Sequence, residues 1–570
     1  LRAVSRRRFL SGLGTGAGAL LIGGHIPIVR AAEAIVAPPS AAESAPDPND
    51  PIAILFGRRL AFAEGVPHVT VRITEGQKQF SFIAQGPVRL SARGQESRTI
   101  AKARGRWTVR LASSTEGRSI ARVNVGEHLF LQSASAEADA QMFRTHGYPT
   151  SLVSAGAVYG IAGRTVDTRH TLVLVEGDHS EGRAQRLVDE IGARFSIRPS
   201  VHREPIERAH GTIEVLDPSG KVVLRATDAL AIDAEGGVTV ERVEHSMGYP
   251  NHGFEDRRYG GRVFAAVDAQ GLLAAVNLVP LESLTKGIVP SEIFATAHIE
   301  ALKAQAVTAR GEILAKVGAR HVGDPYLLCA EQHCQVYRGV AGEQASTNIA
   351  VDATRGEALF AADGGPLVPS YYSAICGGHT EDNDKVWGGP PNPSIRGRPD
   401  FPLNAQTKEF ADGIGEALLR RWLAADVPSF CRTASTTKRD KYRWKKSFSQ
   451  AEVDALTEPY GVGSVSLLDI DGRGISGRAR TLVVEGAKGA TRVHSELAIR
   501  RLFRMLPSGM FVIETEGAGK SRRYTFRGGG WGHGAGMCQT GAIGRAEQGA
   551  SYRDILRVYF NGADVVRMYS

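Results

Sequence analysis

From Ile52 to about Gln132 the chain is built of short runs in which apolar and polar residues alternate. His68-Val69-Thr70-Val71-Arg72-Ile73 and Trp107-Thr108-Val109-Arg110-Leu111 repeat with a period of two, the pattern of strands with one buried face. Glycines and charged residues separate these runs, which predicts a small β-rich module over 52–165. The pattern then changes. Thr171–Val175 is continuously apolar, and Ser180–Arg194 places Ala184, Leu187, Val188 and Ile191 at helical spacing before a strand-like Phe195–Val201. This order predicts a small α+β module over 166–239. Thr212–Asp233 returns to strands around an Asp217-Pro218-Ser219-Gly220 turn. Arg262–Val279 reads as two strands about Asp268-Ala269-Gln270-Gly271.

The strongest helical pattern is Thr296–Lys316. Ile299, Leu302, Ala306, Ala309 and Ile313 recur at three- and four-residue steps and form one apolar stripe. Lys303 and Arg310, seven apart, share a different face about 10 Å long. Glu292 lies just upstream, after Pro290, which disfavours helix at Val289. Glu292 is therefore expected on a loop leading into a helix that displays two cations. Those parts suit glycan cleavage, in which a carboxylic acid protonates the leaving oxygen. Burial raises such a pKa and nearby cations lower it, so the cations suit substrate contacts better than contact with Glu292. The plain alternative is an exposed loop glutamate.

His321, Cys329, His333 and Cys334 offer two imidazoles and two thiolates within a short stretch, a donor set that zinc takes tetrahedrally. His333 and Cys334 are adjacent, so joint ligation needs a turn there. A Cys329–Cys334 disulfide is the rival. A closed four-ligand site is structural rather than water-activating. The chain has five cysteines, an odd count that argues against a disulfide scaffold. Cys431 has no evident partner and reads as a buried apolar residue. Two glycine-rich segments complete the chemistry. Cys376-Gly377-Gly378-His379-Thr380 follows a strand-like run, and Gly528–Gly536 brackets Trp531 and His533. Glycines permit positive φ and close backbone approach. Trp531 offers a face for a sugar ring and His533 a hydrogen-bonding edge, unless Trp531 packs in the core and His533 caps a turn. No Gly-Lys-Ser/Thr follows, so neither segment is a phosphate loop.

Three segments stand in order: IVPSEI…EALKAQAVTAR (288–310), YYSAICGGHTEDNDKVWGG (371–389) and GGGWGHGAGMCQTGA (528–542), with the Cys-His cluster between the first two. Together they resemble the SpoIID/LytB family of peptidoglycan-acting proteins over roughly 240–569. A stretch from Arg443-Trp444 to Leu456 is also similar to that family, where it precedes a helix. The resemblance implies an α+β protein, with β-rich N-terminal modules followed by a mixed α/β SpoIID-like catalytic domain over 240–570. It implies a lytic transglycosylase in which Glu292 is general acid and then general base, leaving 1,6-anhydro ends on glycan strands. Lys303 and Arg310 then join Gly377, Gly378, Trp531 and His533 as substrate-binding residues. A structural zinc ion on His321, Cys329, His333 and Cys334 is implied as well. The LytB branch implies another outcome: a glycan-binding enhancer of an N-acetylmuramoyl-L-alanine amidase that does not cut. Two departures stand out. Gly311-Glu312 follows Arg310 where the family has Thr-Tyr, and Cys538 stands where its pattern has Ser. The 166–239 unit is weakly similar to half of a SPOR-type peptidoglycan-binding domain.

At 570 residues several domains are expected. The net charge of +9 is mild for this length and fits an anionic cell-wall partner or solvated surface. No basic run with interleaved aromatics suggests nucleic acid. Ser5-Arg6-Arg7-Arg8-Phe9-Leu10 has the twin-arginine export pattern. Behind it lie a weakly apolar Ser11–Ile28 and a small-residue cleavage site at Ala32-Glu33-Ala34. A signal over 1–34 and a linker over 35–51 predict an exported protein, periplasmic or wall-facing, with no stable membrane span after cleavage.

Overall fold

A computed structural model describes residues 50–570 apart from 101–103, 131, 196, 198, 248–250 and 426. The twin-arginine pattern, the apolar stretch, the cleavage site and nearly all of the linker lie outside the described residues. Pro51, the last linker residue, opens a short helix, Pro51–Phe56, capped by the Asp50 carboxylate.

Two antiparallel sheets fill the first half. One has Ala61–Ala63, Val66–Gln77, Leu273–Pro280, Arg262–Val267, Ala229–Ala234, Val88–Ala92 and Arg98–Ile100 as neighbours, in that order. The other runs Val222–Thr227, His210–Leu216, Gly105–Thr115, Gln79–Ala84, Val238–His245 and Gly253–Tyr259. Their inner faces share one core, in which Phe82 stacks on Trp107 at 5.8 Å. These sheets cross the boundaries expected at 165 and 239. The hairpin Arg262–Val267/Leu273–Pro280, closed about Asp268–Gly271 as its turn residues imply, pairs directly with Val66–Gln77. Contiguous sequence modules are therefore not separate cores, because ladder pairing joins strands some 200 residues apart.

An inserted unit occupies 118–207. Its strands lie in the order Ser200–Glu207, Arg118–Leu129, His170–His179, Thr150–Ala155, all pairs antiparallel. With helices Ser133–Thr145 and Glu181–Phe195 this is a split βαββαβ arrangement. The strand–helix–strand order expected at 171–201 is its second half. The last strand starts later than expected, because the helix continues through Phe195, whose ring meets Phe143 and Tyr148 at 5.0 and 5.9 Å.

The second half is helical at its centre. Leu281–Glu292, Ala345–Ala353, Gln539–Glu547 and Tyr552–Tyr559 pack around Ile299–Lys316. That long helix is not amphipathic as its stripe suggested. Gln305 and Arg310 are wholly buried and Glu312 and Lys316 nearly so, because neighbours surround it. Two outlying three-stranded sheets form a second core around Phe503, Phe511 and Phe526. There Arg443–Ser449 leads into helix Gln450–Thr457 through a Ser449/Glu452 capping box. The architecture is α+β, as expected. No described helix is long and apolar enough to cross a membrane.

Candidate functional site

The hairpin ending at Pro280 runs straight into helix Leu281–Glu292, so the sheet positions Glu292. Glu292 ends this helix and is not on a loop. Pro290 sits inside the last turn, at the loss of one main-chain hydrogen bond. Burial of Leu284, Ile288 and Val289 overrides the local preference against helix. Half-buried, Glu292 accepts the Val336 main-chain N–H on Oε1 at 3.1 Å. Its own carbonyl accepts Gln539 Nε2 at 2.9 Å, and the same nitrogen donates to Gln305 Oε1 at 3.1 Å. Gln335 donates to the Ala309 carbonyl at 3.1 Å and accepts the Tyr372 hydroxyl at 2.7 Å. Segments 335–336, 372 and 539 are thus tied to the middle of Ile299–Lys316 and to Glu292.

The face of the long helix at this site carries Gln305, Ala309, Glu312 and Lys316, at steps of four, three and four. Lys316 Nζ pairs with Glu312 at 2.7 Å and donates to the Cys334 carbonyl at 2.6 Å. The other Glu312 oxygen is buried with no hydrogen-bond partner among the described residues. Burial raises the Glu292 pKa above the ordinary glutamate value; the Val336 N–H and Lys316 oppose this, and the Glu312 charge adds to it. Burial, with the charges of Glu292 and Glu312, likewise pushes the Tyr372 phenol well up. His533 is held down to about 3, by burial first and then by Arg478. Its Nδ1 accepts the Ala535 N–H at 3.1 Å, so the neutral ring keeps Nε2–H as a donor.

Aromatic rings border these groups. Trp387 lies 4.5 Å from Tyr371 and 4.9 Å from His533, centroid to centroid, and is 47% exposed. Trp531 is 39% exposed, with Lys441 Nζ 4.5 Å above its ring. Neither tryptophan is a core residue. Trp387 is the site residue that sequence reasoning passed over. It stands in the quoted 371–389 segment, and an apolar ring between Lys385-Val386 and Gly388-Gly389 was the available signal.

Other expected residues lie elsewhere. Lys303 and Arg310 each precede a site residue by two positions, Gln305 and Glu312. That turns them about 200° around the helix, onto its far side. Arg310 is fully buried and paired with Glu282, and Lys303 pairs with Glu300 at 2.7 Å beside Tyr552. A substrate on the Glu292 side does not meet the Arg310 guanidinium. Gly377 and Gly378 are also buried rather than groove-lining. Both have positive φ, and a Cβ would stand 3.0 Å from the Gly530 nitrogen at one and 2.4 Å from Trp422 at the other. Gly377 lets the two glycine-rich segments pack closely, and Gly378 lets the backbone approach Trp422. The Gly311 departure has a similar cause: a Cβ there would lie 2.4 Å from Ser370 Oγ.

His321, Cys329, His333 and Cys334 converge, with ligand atoms all within 4.8 Å of one another. His321 Nε2 is 3.4 Å from Cys334 Sγ, and His333 Nδ1 is 3.6 and 3.7 Å from the two sulfurs. A tetrahedral zinc ion needs ligand atoms roughly 3.4–3.8 Å apart, so the donor set fits. A turn, closed by the Cys334 N–H on the Glu331 carbonyl, brings His333 and Cys334 to one side. Asp324 accepts from His321 Nδ1 at 2.9 Å and orients the ring for ligation through Nε2. Both cysteines are free, so the disulfide alternative does not describe this geometry. Cys329 is placed by parallel pairing of Leu328–Cys329 with Val66–Gln77. A cleft of about 730 Å³, lined by Asn124, Glu127, His170, His202, His321 and Asp324, borders this cluster and does not include Glu292.

Residues 269–360 match the family model described as Stage II sporulation protein (SpoIID). Over these residues the chain is similar to the SpoIID family. Residues 381–536 match a model described only as a domain of unknown function, DUF8618. An uncharacterized protein of Brachyspira hyodysenteriae (strain ATCC 49526 / WA1) is 29% identical over 60% of this chain and 77% of its own length. The amidase enhancer of Bacillus subtilis (strain 168) is 30% identical over 49% of this chain, and the match spans 39% of the enhancer. Stage II sporulation protein D of Bacillus amyloliquefaciens is 26% identical over 51% of this chain and 75% of its own length. The SpoIID match contains Glu292, the long helix and all four residues of the Cys-His cluster. The glycine-rich Trp531–Gly536 stretch falls in the other.

Proposed function

We propose that this SpoIID-family protein is an exported peptidoglycan lytic transglycosylase with Glu292 as its acid and base. The observation that carries the reading is the state of that carboxyl: half-buried, raised by burial, and held by a single main-chain N–H. A carboxyl of this kind keeps its proton toward neutral pH and can give it to a glycosidic oxygen. As the leaving sugar departs, the resulting carboxylate accepts a proton from the muramic acid primary hydroxyl. That oxygen bonds to the anomeric carbon and leaves a 1,6-anhydro end. Trp387 and Trp531 offer apolar faces for sugar rings, with His533 at their edge. A zinc ion on His321, Cys329, His333 and Cys334 would be a structural cross-link behind the Val336 segment that holds Glu292. Export by the twin-arginine route belongs to the same reading.

A second reading is a glycan-binding enhancer of a separate cell-wall amidase. It is favoured by the likeness to the Bacillus subtilis amidase enhancer and by the internal pairing of Lys303 and Arg310. Mass spectrometry of products from peptide-free glycan strands separates the two. Anhydro-ended fragments from wild type but not from Glu292→Gln support the transglycosylase. Strands that pellet with both proteins uncut support the enhancer.

A further inference from the structure

Cys376, Cys431 and Cys538 come from three distant parts of the sequence and meet Asp400 in the core. All four are completely buried, and their ligand atoms lie within 4.8 Å of one another. Cys376 Sγ is 3.6 Å from Cys431 Sγ and 3.3 Å from Asp400 Oδ2. We infer that these residues form a second metal centre, a closed site of three sulfurs and one carboxylate oxygen for a thiophilic divalent cation such as Zn²⁺.

The surroundings fit such a centre better than an apolar core. Main-chain N–H groups of Cys376 and Gly541 point at Cys538 Sγ, at 3.1 and 3.3 Å, and that of Gly378 points at Cys376 Sγ at 3.3 Å. N–H donors aimed at sulfur favour thiolates, the form that binds metal. Asp400 divides its oxygens. Oδ1 accepts the Tyr559 hydroxyl at 2.8 Å and Arg545 Nη2 at 3.0 Å, which leaves Oδ2 toward the thiols. A carboxylate fixed by outer partners is what a ligand position requires. Cations enclose the cluster. Besides Arg545, Arg478 Nη2 donates to the Cys376 carbonyl at 3.1 Å and Arg443 Nη1 to the Gly377 carbonyl at 3.1 Å. Three thiolates and a carboxylate around one dication carry a net negative charge, which these arginines offset. Three neutral thiols would give the buried Arg478 and the partly buried Arg443 and Arg545 far less to balance.

Four protein ligands leave no open position, so the site is structural. It joins the Tyr372–Ser373 and Met537–Cys538 strand pair to the Phe430–Thr433 helix. It thereby locks together the two glycine-rich segments that present Trp387, Trp531 and His533. It also gives a reason for Cys538 at a position where the family pattern has serine. The inference stands whether or not the protein cuts glycan.

The test is metal analysis and zinc-edge X-ray absorption on the whole exported chain, purified under reducing conditions. The Cys329→Ser/Cys334→Ser variant disables the first cluster. It is expected to keep one zinc per chain with three sulfur neighbours at about 2.3 Å. Cys538→Ser is expected to lose that zinc and its three-sulfur signature. Should either variant not fold, wild type decides: two zinc ions per chain averaging about 2.5 sulfurs each support the site. A wild type with one zinc and two sulfurs overturns it.

Discussion

The Arg310 guanidinium holds the Glu282 carboxylate in two hydrogen bonds, Nε to Oε1 at 3.0 Å and Nη2 to Oε2 at 2.7 Å, with both side chains out of water. Glu282 Oε1 also accepts the Tyr569 hydroxyl at 2.7 Å and the Gly356 N–H at 3.1 Å, and Arg310 Nη1 donates to the Glu357 carbonyl at 2.8 Å. One network thus joins the Glu292 helix, the long helix and the C-terminal segment at Tyr569. Removing one partner leaves an uncompensated buried charge. Arg310→Ala is expected to cost about 3–5 kcal/mol in urea unfolding. Lys303→Ala, at a partly exposed pair, should change stability by about 1 kcal/mol or less. An Arg310→Ala protein with an unchanged midpoint but lost glycan binding would return Arg310 to the substrate site.

Glu292 should make stability depend on pH with a definite sign. Its folded pKa is raised, so its contribution is fully present below the unfolded value of about 4.3 and is lost as pH rises through the folded value. Glu292→Gln mimics the protonated acid and has no such loss. The melting temperature of the variant, minus that of wild type, should therefore increase between pH 4 and 8. A flat difference would mean that Glu292 is ionised like a surface carboxylate.

His379 predicts the opposite slope. It is completely buried, donates Nδ1–H to the Thr380 carbonyl at 2.7 Å, and has its pKa lowered by burial to about 4. Nearby Arg478 and Arg398 add to that shift. A depressed histidine contributes stability above its unfolded value, about 6.5, that is lost as pH falls through the folded one. Wild type should weaken between pH 6.5 and 4, and His379→Gln should show a shallower acid limb. Equal limbs in chemical denaturation would assign acid sensitivity elsewhere.

Metal removal tests the Cys-His cluster. Lys316 donates to the Cys334 carbonyl and Val336 to Glu292, so the ligand segment runs directly into the site. Chelation should lower the melting temperature and free the His321 and Cys329 segments to hydrogen exchange, with recovery on adding zinc. An unchanged exchange pattern would leave those residues as a hydrogen-bonded cluster only.

Trp387 should matter for binding and little for folding, because nearly half of it is exposed. Trp387→Ala is expected to weaken co-sedimentation with glycan strands by roughly two- to tenfold, the worth of a stacked ring. Its melting temperature should stay within a few degrees of wild type. Undiminished sedimentation would remove the tryptophan from the sugar path.

Local pattern was enough for much of this protein. Alternation marked Val66–Gln77 and Gly105–Thr115 as strands, turn residues marked the Asp268–Gly271 hairpin, and helical spacing marked Ile299–Lys316. The 288–310 segment marked the likeness to the SpoIID family, and donor type and spacing marked the four residues of the Cys-His cluster. Each of these is a property of neighbours along the chain. Tertiary structure decided what depends on contacts across it. It placed Glu292 at a helix end, because packing of Ile288 and Val289 outweighs a proline's local preference. It enclosed the long helix, so that Glu312 and Lys316 face the site while Lys303 and Arg310 turn away. It also brought Cys431, read as a lone apolar residue, against Cys376, Cys538 and Asp400. Spacing along one helix fixes which residues share a face. Only the elements packed around that helix determine which face meets the site.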